Sequence, residues 1–179
     1  MKSGYCLVRG LCVESLKKKA CFVKANEICK KVGLIVSGSV RFYMVKDGEE
    51  INNYFCLEND WISSYTSFLN QHADQLYIEA LEDTILVTFT YQYLQQCYAS
   101  PQLAYKMDRF GRLIAEHYLG CYEDRVRSLL FQSPEERYIE LLKNGSDIMQ
   151  RIPQHYIADY LGITPVSLSR IRRRIMQFI

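Results

Sequence analysis

Arg170, Arg172, Arg173 and Arg174, close to the carboxyl terminus, are the side chains of this sequence best suited to a specific chemistry. A guanidinium is a permanently charged planar fork of donors that pairs bidentately with a phosphate or with the O6/N7 edge of guanine. From Arg151 to Ile179 five arginines stand against one acid, Asp159, a local charge of +4 in a chain whose formal total is only +2. Such a confined basic patch is what phosphate neutralisation requires. The patch overlaps the run Gln154-His155-Tyr156-Ile157-Ala158-Asp159-Tyr160-Leu161-Gly162-Ile163-Thr164-Pro165-Val166-Ser167-Leu168-Ser169-Arg170-Ile171, which reads as two helices joined by a tight turn. Ala158 is small where the helices cross, Gly162 admits the left-handed turn conformation, and Thr164-Pro165 supplies a cap and a first helical residue. Ile157, Leu161, Ile163, Leu168 and Ile171 make the shared apolar core. An alanine-to-glycine interval of four and a glycine-to-Leu168 interval of six is the helix-turn-helix spacing. It predicts a second helix in the major groove of DNA, with Val166, Ser167 and Arg170 outward. Arg170 then suits guanine, Ser167 a base or phosphate, and Val166 a thymine methyl, while Arg172, Arg173 and Arg174 reach the backbone. The competing readings are a solvated helix end facing its own dipole and a helix-turn-helix used for protein contact.

Other chemistries find no constellation. Cys6, Cys12, Cys21, Cys29, Cys56, Cys97 and Cys121 are odd in number, with no two closer than six residues, which fits reduced, buried thiols better than disulfides or zinc. The four amino-terminal cysteines could ligate an iron–sulfur cluster, but intervals of six, nine and eight match no such motif. His72, His117 and His155 cannot be placed beside a thiol as a catalytic pair from sequence, and no carboxylate pair or glycine-rich phosphate loop occurs at a usable interval. Neither a catalytic group nor a metal ligand is therefore assigned, and an enzyme is not expected. With 49% hydrophobic and 23% charged residues the chain is globular. It lacks the roughly 18–20 continuous apolar residues of a membrane span and an apolar run behind Met1, so no membrane association and a cytoplasmic location are expected.

Prolines mark the helices that must position these groups. Ser100-Pro101, Ser133-Pro134 and Thr164-Pro165 each place a hydroxyl before a helix-opening proline, Glu136 completes a capping box with Ser133, and Pro153 opens a further helix. From Val32 to about Thr90 the apolar period is close to two, with Val40, Phe42 and Met44 on one face and Arg41, Tyr43 and Val45 on the other. Asp47-Gly48 supplies a hairpin turn. Tyr77 to Leu81 and Thr84 to Thr90 continue an antiparallel roll or sandwich. Between Pro101 and about Leu130, Leu103, Met107, Phe110, Ile114, His117 and Cys121 recur at intervals of four, three, four, three and four, the seam of two helices packed lengthwise. The same stripe would serve a helix lying on its own sheet.

Ile35-Val36-Ser37-Gly38-Ser39-Val40-Arg41-Phe42-Tyr43, Ile78-Glu79-Ala80-Leu81-Glu82-Asp83, Glu136-Arg137-Tyr138 and Ile157 to Arg174 together resemble the Crp/Fnr superfamily of bacterial transcription regulators. The resemblance implies an α+β chain in three parts. Residues 1–100 would form a cyclic-nucleotide-binding-like antiparallel β-roll, 101–131 a long central dimerisation helix, and 132–179 a helix-turn-helix domain. It implies a homodimer on a two-fold symmetric operator in double-stranded DNA, with RNA polymerase as a further partner, and it tips the 103–121 stripe toward dimerisation. Three departures bear on function. The stretches Glu58 to Ser64 and Asp74 to Tyr77 lack the arginine that holds a cyclic-nucleotide phosphate in the family, so cyclic AMP is not the expected effector. Val166 stands where many members carry a glutamate, so the family's target sequence is not carried over. Only nine residues follow Arg170, too few for the wing hairpin of some members. The roll also looks shortened around Glu27 to Ile35. The signal is either a small molecule near Trp61, Tyr65 and Phe68, or a haem or oxidant acting through a cysteine, or none, and no cofactor is assigned. The alternative to a regulator is a scaffolding module that does not bind DNA.

Overall fold

A computed structural model describes residues 5–8 and 10–176. The period-two segments form two sheets whose described pairings are all antiparallel. β1 (Tyr5–Val8), β2 (Leu11–Leu16), β9 (Thr84–Thr90), β4 (Lys31–Ser37) and β7 (Trp61–Ile62) make one, in that order. β3 (Cys21–Val23), β8 (Tyr77–Ala80), β5 (Val40–Lys46) and β6 (Glu49–Cys56) make the other. Alternation decides what is inside: on β9, Thr84, Leu86 and Thr88 are buried while Ile85 is exposed. Val32, Ile35, Val40, Phe42, Ile62, Ile78 and Leu86 meet in one core. The β5–β6 connection is the expected two-residue turn, with φ of 54° at Asp47 and 83° at Gly48 between paired Lys46 and Glu49.

β5 departs from simple alternation, because Arg41 and Tyr43 are covered as well as Val40 and Phe42. Arg41 pairs with Glu79 at 3.0 Å and Glu50 at 2.6 Å and lies 4.0 Å from the centre of the Tyr43 ring, which stacks on Tyr77 at 4.8 Å. Two carboxylates compensate the buried cation. Burial, with Glu79 nearby, pushes the Tyr43 phenol well above its usual range.

Two short helices went unread in the sequence, α1 (Tyr65–Asn70) and α2 (Tyr91–Tyr98). After them come α3 (Pro101–Phe131), α4 (Pro134–Asn144), α5 (Ser146–Arg151), α6 (Gln154–Tyr160) and α7 (Pro165–Met176). The chain divides into two compact units, Met1–His117 and Tyr118–Ile179, so that α3 contributes residues to both. Cys12, Cys21, Cys29, Cys56, Cys97 and Cys121 form no disulfide among the described residues, and the Cys6 side chain lies outside them. No helix among the described residues is long and apolar enough to cross a membrane.

Candidate nucleic-acid interface

The second unit is built on local signals. α4 starts with the expected capping box: the Glu136 N–H donates to Ser133 Oγ at 3.3 Å and the Ser133 N–H to Glu136 Oε2 at 2.7 Å. α6 opens at Gln154 with Pro153 as its cap residue, one step earlier in role than a first helical residue. α6 ends in a Schellman turn: Gly162, at φ 70°, donates to the Asp159 carbonyl at 2.8 Å, and Ile163 to the Ala158 carbonyl at 3.0 Å. Thr164 then caps α7, accepting from the Ser167 N–H at 3.2 Å. Ile157, Ala158, Leu161, Leu168 and Ile171 are buried together with Tyr138 and Ile152, as the motif's spacing requires.

Leu168 and Ile171 turn inward, so the opposite face of α7 carries Val166, Ser169, Arg170 and Arg173, all exposed. Ser167 is not on that face. Its hydroxyl lies 3.0 Å from Thr164 Oγ1 and its N–H is bonded there, so it belongs to the helix cap, and Ser169 takes the outward place. The interval 166, 169, 170, 173 was readable from helical periodicity once Leu168 and Ile171 were fixed as core. Arg172 and Arg174 also differ from the backbone-reaching role expected of them. Arg172 Nη1 donates to Gln154 Oε1 at 2.9 Å, and Arg174 pairs with Glu135 at 2.9 Å. Arg170 and Arg173 make neither hydrogen bond nor ion pair among the described residues.

The stripe on α3 divides. Met107 and Phe110 pack against the core of the roll and Ile114 is 6% exposed, with the Phe110 ring 5.0 Å from Trp61 and 6.1 Å from Phe89. This part of the expected dimer seam is the helix lying on its own sheet. Leu103 and His117 are exposed and Cys121 is half-buried. A second apolar row, Leu119, Tyr122, Val126 and Leu129, recurs at intervals of three, four and three and is exposed by 46–60%.

Residues 13–100 match the cyclic nucleotide-binding domain family. The structure of FixK2 from Bradyrhizobium japonicum is similar with a TM-score of 0.74 at 21% identity, over 99% of this chain and 85% of that one. A protein of Eubacterium rectale assigned to the Crp/Fnr family of transcriptional regulators has a TM-score of 0.74 at 20% identity, over 93% of this chain and 78% of its own. The chain has the Crp/Fnr fold. The c-di-GMP-responsive global regulator CLP of Xanthomonas campestris shares that Crp/Fnr fold at 14% identity and a TM-score of 0.73, over 92% of this chain and 86% of its own. No curated protein is significantly similar in sequence.

In this Crp/Fnr fold the three aromatic residues nominated for an effector are structural. Phe68 is buried edge-on to Phe89 and Tyr91, at 6.1 and 5.7 Å, Trp61 meets Phe110, and the Tyr65 hydroxyl donates to the Gly111 carbonyl at 2.8 Å. They seat the first half of α3 on the roll. A cleft of about 670 Å³ opens elsewhere, lined by Cys12, Glu14, Cys21, Phe22, Lys24 and Lys31 among others. Lys31 pairs with Glu14, which also accepts from Thr88 Oγ1 at 2.9 Å. The stretch that lacks the phosphate arginine is tied into the roll. Glu58 Oε1 accepts from the Gly38 N–H at 2.7 Å, Ser63 Oγ donates to the Lys31 carbonyl at 3.2 Å, and Ser64 Oγ donates to Asp74 at 2.6 Å. Among the described residues no three His, Cys, Asp or Glu side chains converge as metal ligands.

Proposed function

We propose that this chain is a dimeric, sequence-specific, DNA-binding transcription regulator in which α7 reads the major groove. The observation that carries this reading is the exposed face Val166, Ser169, Arg170, Arg173, held on a capped helix after a Schellman turn, with neither arginine hydrogen-bonded or ion-paired among the described residues. Arg170, near the start of the helix, is the guanine reader, Ser169 and Val166 flank it, and Arg173 contacts phosphate. Arg172 and Arg174 brace the domain instead. Dimerisation falls to Leu119, Tyr122, Val126 and Leu129 on α3, whose intervals are those of a coiled-coil seam and whose exposure leaves them open to a second copy. Two α7 helices in a symmetric pair would then enter successive major grooves about 34–36 Å apart. A small-molecule effector, where one acts, has its best place in the Glu14–Lys31 cleft, whose volume lies in the usual range of ligand sites. The likeness to CLP, a c-di-GMP-responsive global regulator, and to the Eubacterium rectale protein, a transcriptional regulator, supports this class of function.

The test is selection from a pool of random duplexes at several salt concentrations, followed by sequencing of what is retained. A two-fold symmetric site, bound with affinity that falls steeply as salt rises, is the expected result. Retention that is sequence-blind at every salt concentration would overturn the proposal.

A further inference from the structure

Two arginines of the second unit are placed in a way that contact with DNA does not require. Arg137, on α4, is 9% exposed, and its partners among the described residues are main-chain carbonyls. Its Nη1 donates to the Gln132 carbonyl at 2.6 Å and the Ser128 carbonyl at 3.4 Å, while Nε and Nη2 donate to the Leu161 carbonyl at 3.2 and 2.8 Å. Arg125, on α3, lies 3.9 Å from the centre of the Tyr160 ring and donates to the Tyr160 carbonyl. Burying the Arg137 guanidinium without a carboxylate partner is costly, so the carbonyls must repay the lost water.

Helix ends explain how they do so. The last carbonyls of a helix have no intrahelical donor and carry the negative end of the peptide dipoles. The Schellman turn of α6 uses the carbonyls of Ala158 and Asp159 and leaves those of Tyr160 and Leu161. These are the two that Arg125 and Arg137 take. Ser128 and Gln132, at the end of α3, supply the remaining acceptors of Arg137. The end of α6 is thus held by two cations, rooted on α3 and α4, at adjacent carbonyls.

We propose that Arg125 and Arg137 are positioning residues, a double clasp that fixes the angle of α7 to the end of α3 and passes any movement of that end to the recognition face. This rests on the reading of α6 and α7 as the DNA-binding module. The planar fork matters, since a lysine ammonium at position 137 cannot serve the Leu161 and Gln132 carbonyls in their separate directions.

The test uses the full chain with Arg125→Lys, Arg137→Lys and, as a phosphate-contact control, Arg173→Ala. Amide hydrogen exchange is followed without DNA, and affinity for the selected duplex is followed across salt concentrations. For each clasp variant, exchange at Gly162 and Ile163 should rise about tenfold while Ile157 and Leu168 stay protected. Affinity should drop about tenfold or more with an unchanged salt slope. Arg173→Ala should instead lower the salt slope and leave exchange at the wild-type level. Wild-type exchange and affinity in both clasp variants would overturn the proposal. So would loss of protection throughout the unit in both, which would make the arginines supports of the fold only. If wild-type protein binds no duplex, the DNA-binding reading fails by itself, and exchange at Gly162 and Ile163 still decides the clasp.

Discussion

Arg170 and Arg173 share one exposed face of α7 yet are expected to fail in different ways. Arg173, a turn further along, is the proposed phosphate contact, so Arg173→Ala should weaken binding to all duplexes alike and reduce the salt slope by about one per half-site, read from anisotropy titrations. Glu136 gives a test independent of DNA. Hydrogen bonds from the Ser133 N–H and hydroxyl hold its carboxyl below the ordinary 4.5. A carboxyl whose pKa is depressed by folding contributes stability above its unfolded value, and that contribution disappears as pH falls through the folded value. The melting-temperature deficit of Glu136→Ala against wild type should therefore be complete above about pH 4.5 and close as pH drops below it, followed by circular dichroism. Ser133→Ala removes the other half of the box and should cost about 1 kcal/mol in chemical denaturation. At this scale caps and the turn were legible because they depend on neighbours in sequence. Ser167 was misplaced because the notional outer face ignored the hydroxyl of Thr164, which draws Ser167 back into the cap.

α3 shows what a periodic pattern does and does not determine. Its apolar intervals announce a long helix starting at Pro101, and the structure has one. Two apolar rows lie on it, however, and spacing cannot say which meets the roll and which is left for another chain. The Trp61–Phe110 contact decides for the first row. Ile114→Ala should accordingly cost about 2–5 kcal/mol of stability, measured by chemical denaturation, as a buried large-to-small change does. Val126→Glu and Leu119→Glu change exposed positions, so the folded chain should tolerate them while sedimentation velocity shows monomers in place of dimers. The same limit applies to Trp61, Tyr65 and Phe68: an aromatic cluster fits a ligand pocket and a packing seat equally well until its neighbours are known, and here those neighbours include Phe110, Gly111, Phe89 and Tyr91. α1 and α2 are too short to show a helical period, and α1 lies between the strands β7 and β8, although Thr90, which accepts from the Tyr93 N–H at 3.1 Å, is a readable cap for α2.

In the molecule as a whole, residues 13–100, which match the cyclic nucleotide-binding domain family, precede a helix-turn-helix unit proposed to act in pairs. A symmetric pair fixes the separation of its half-sites, so inserting about half a helical turn between the selected half-sites should reduce affinity toward that of a single half-site. The antiparallel strands from Val32 to Thr90, the caps and the turn of the second unit were within reach of sequence, because each rests on alternation or on local hydrogen bonds, whereas the order of strands in each sheet was not, since β2 pairs with β9 far along the chain. The Arg41 cluster and the Glu14–Lys31 cleft were not, because they join residues far apart in the chain. The central claim is that α7 reads base edges through Arg170. Repeating the random-duplex selection with Arg170→Ala tests it most directly. The expected result is the same symmetric site with one base preference relaxed in each half and a loss of about 1–3 kcal/mol confined to that position. An unchanged consensus with affinity lowered equally on every sequence would contradict it and make Arg170 a phosphate contact.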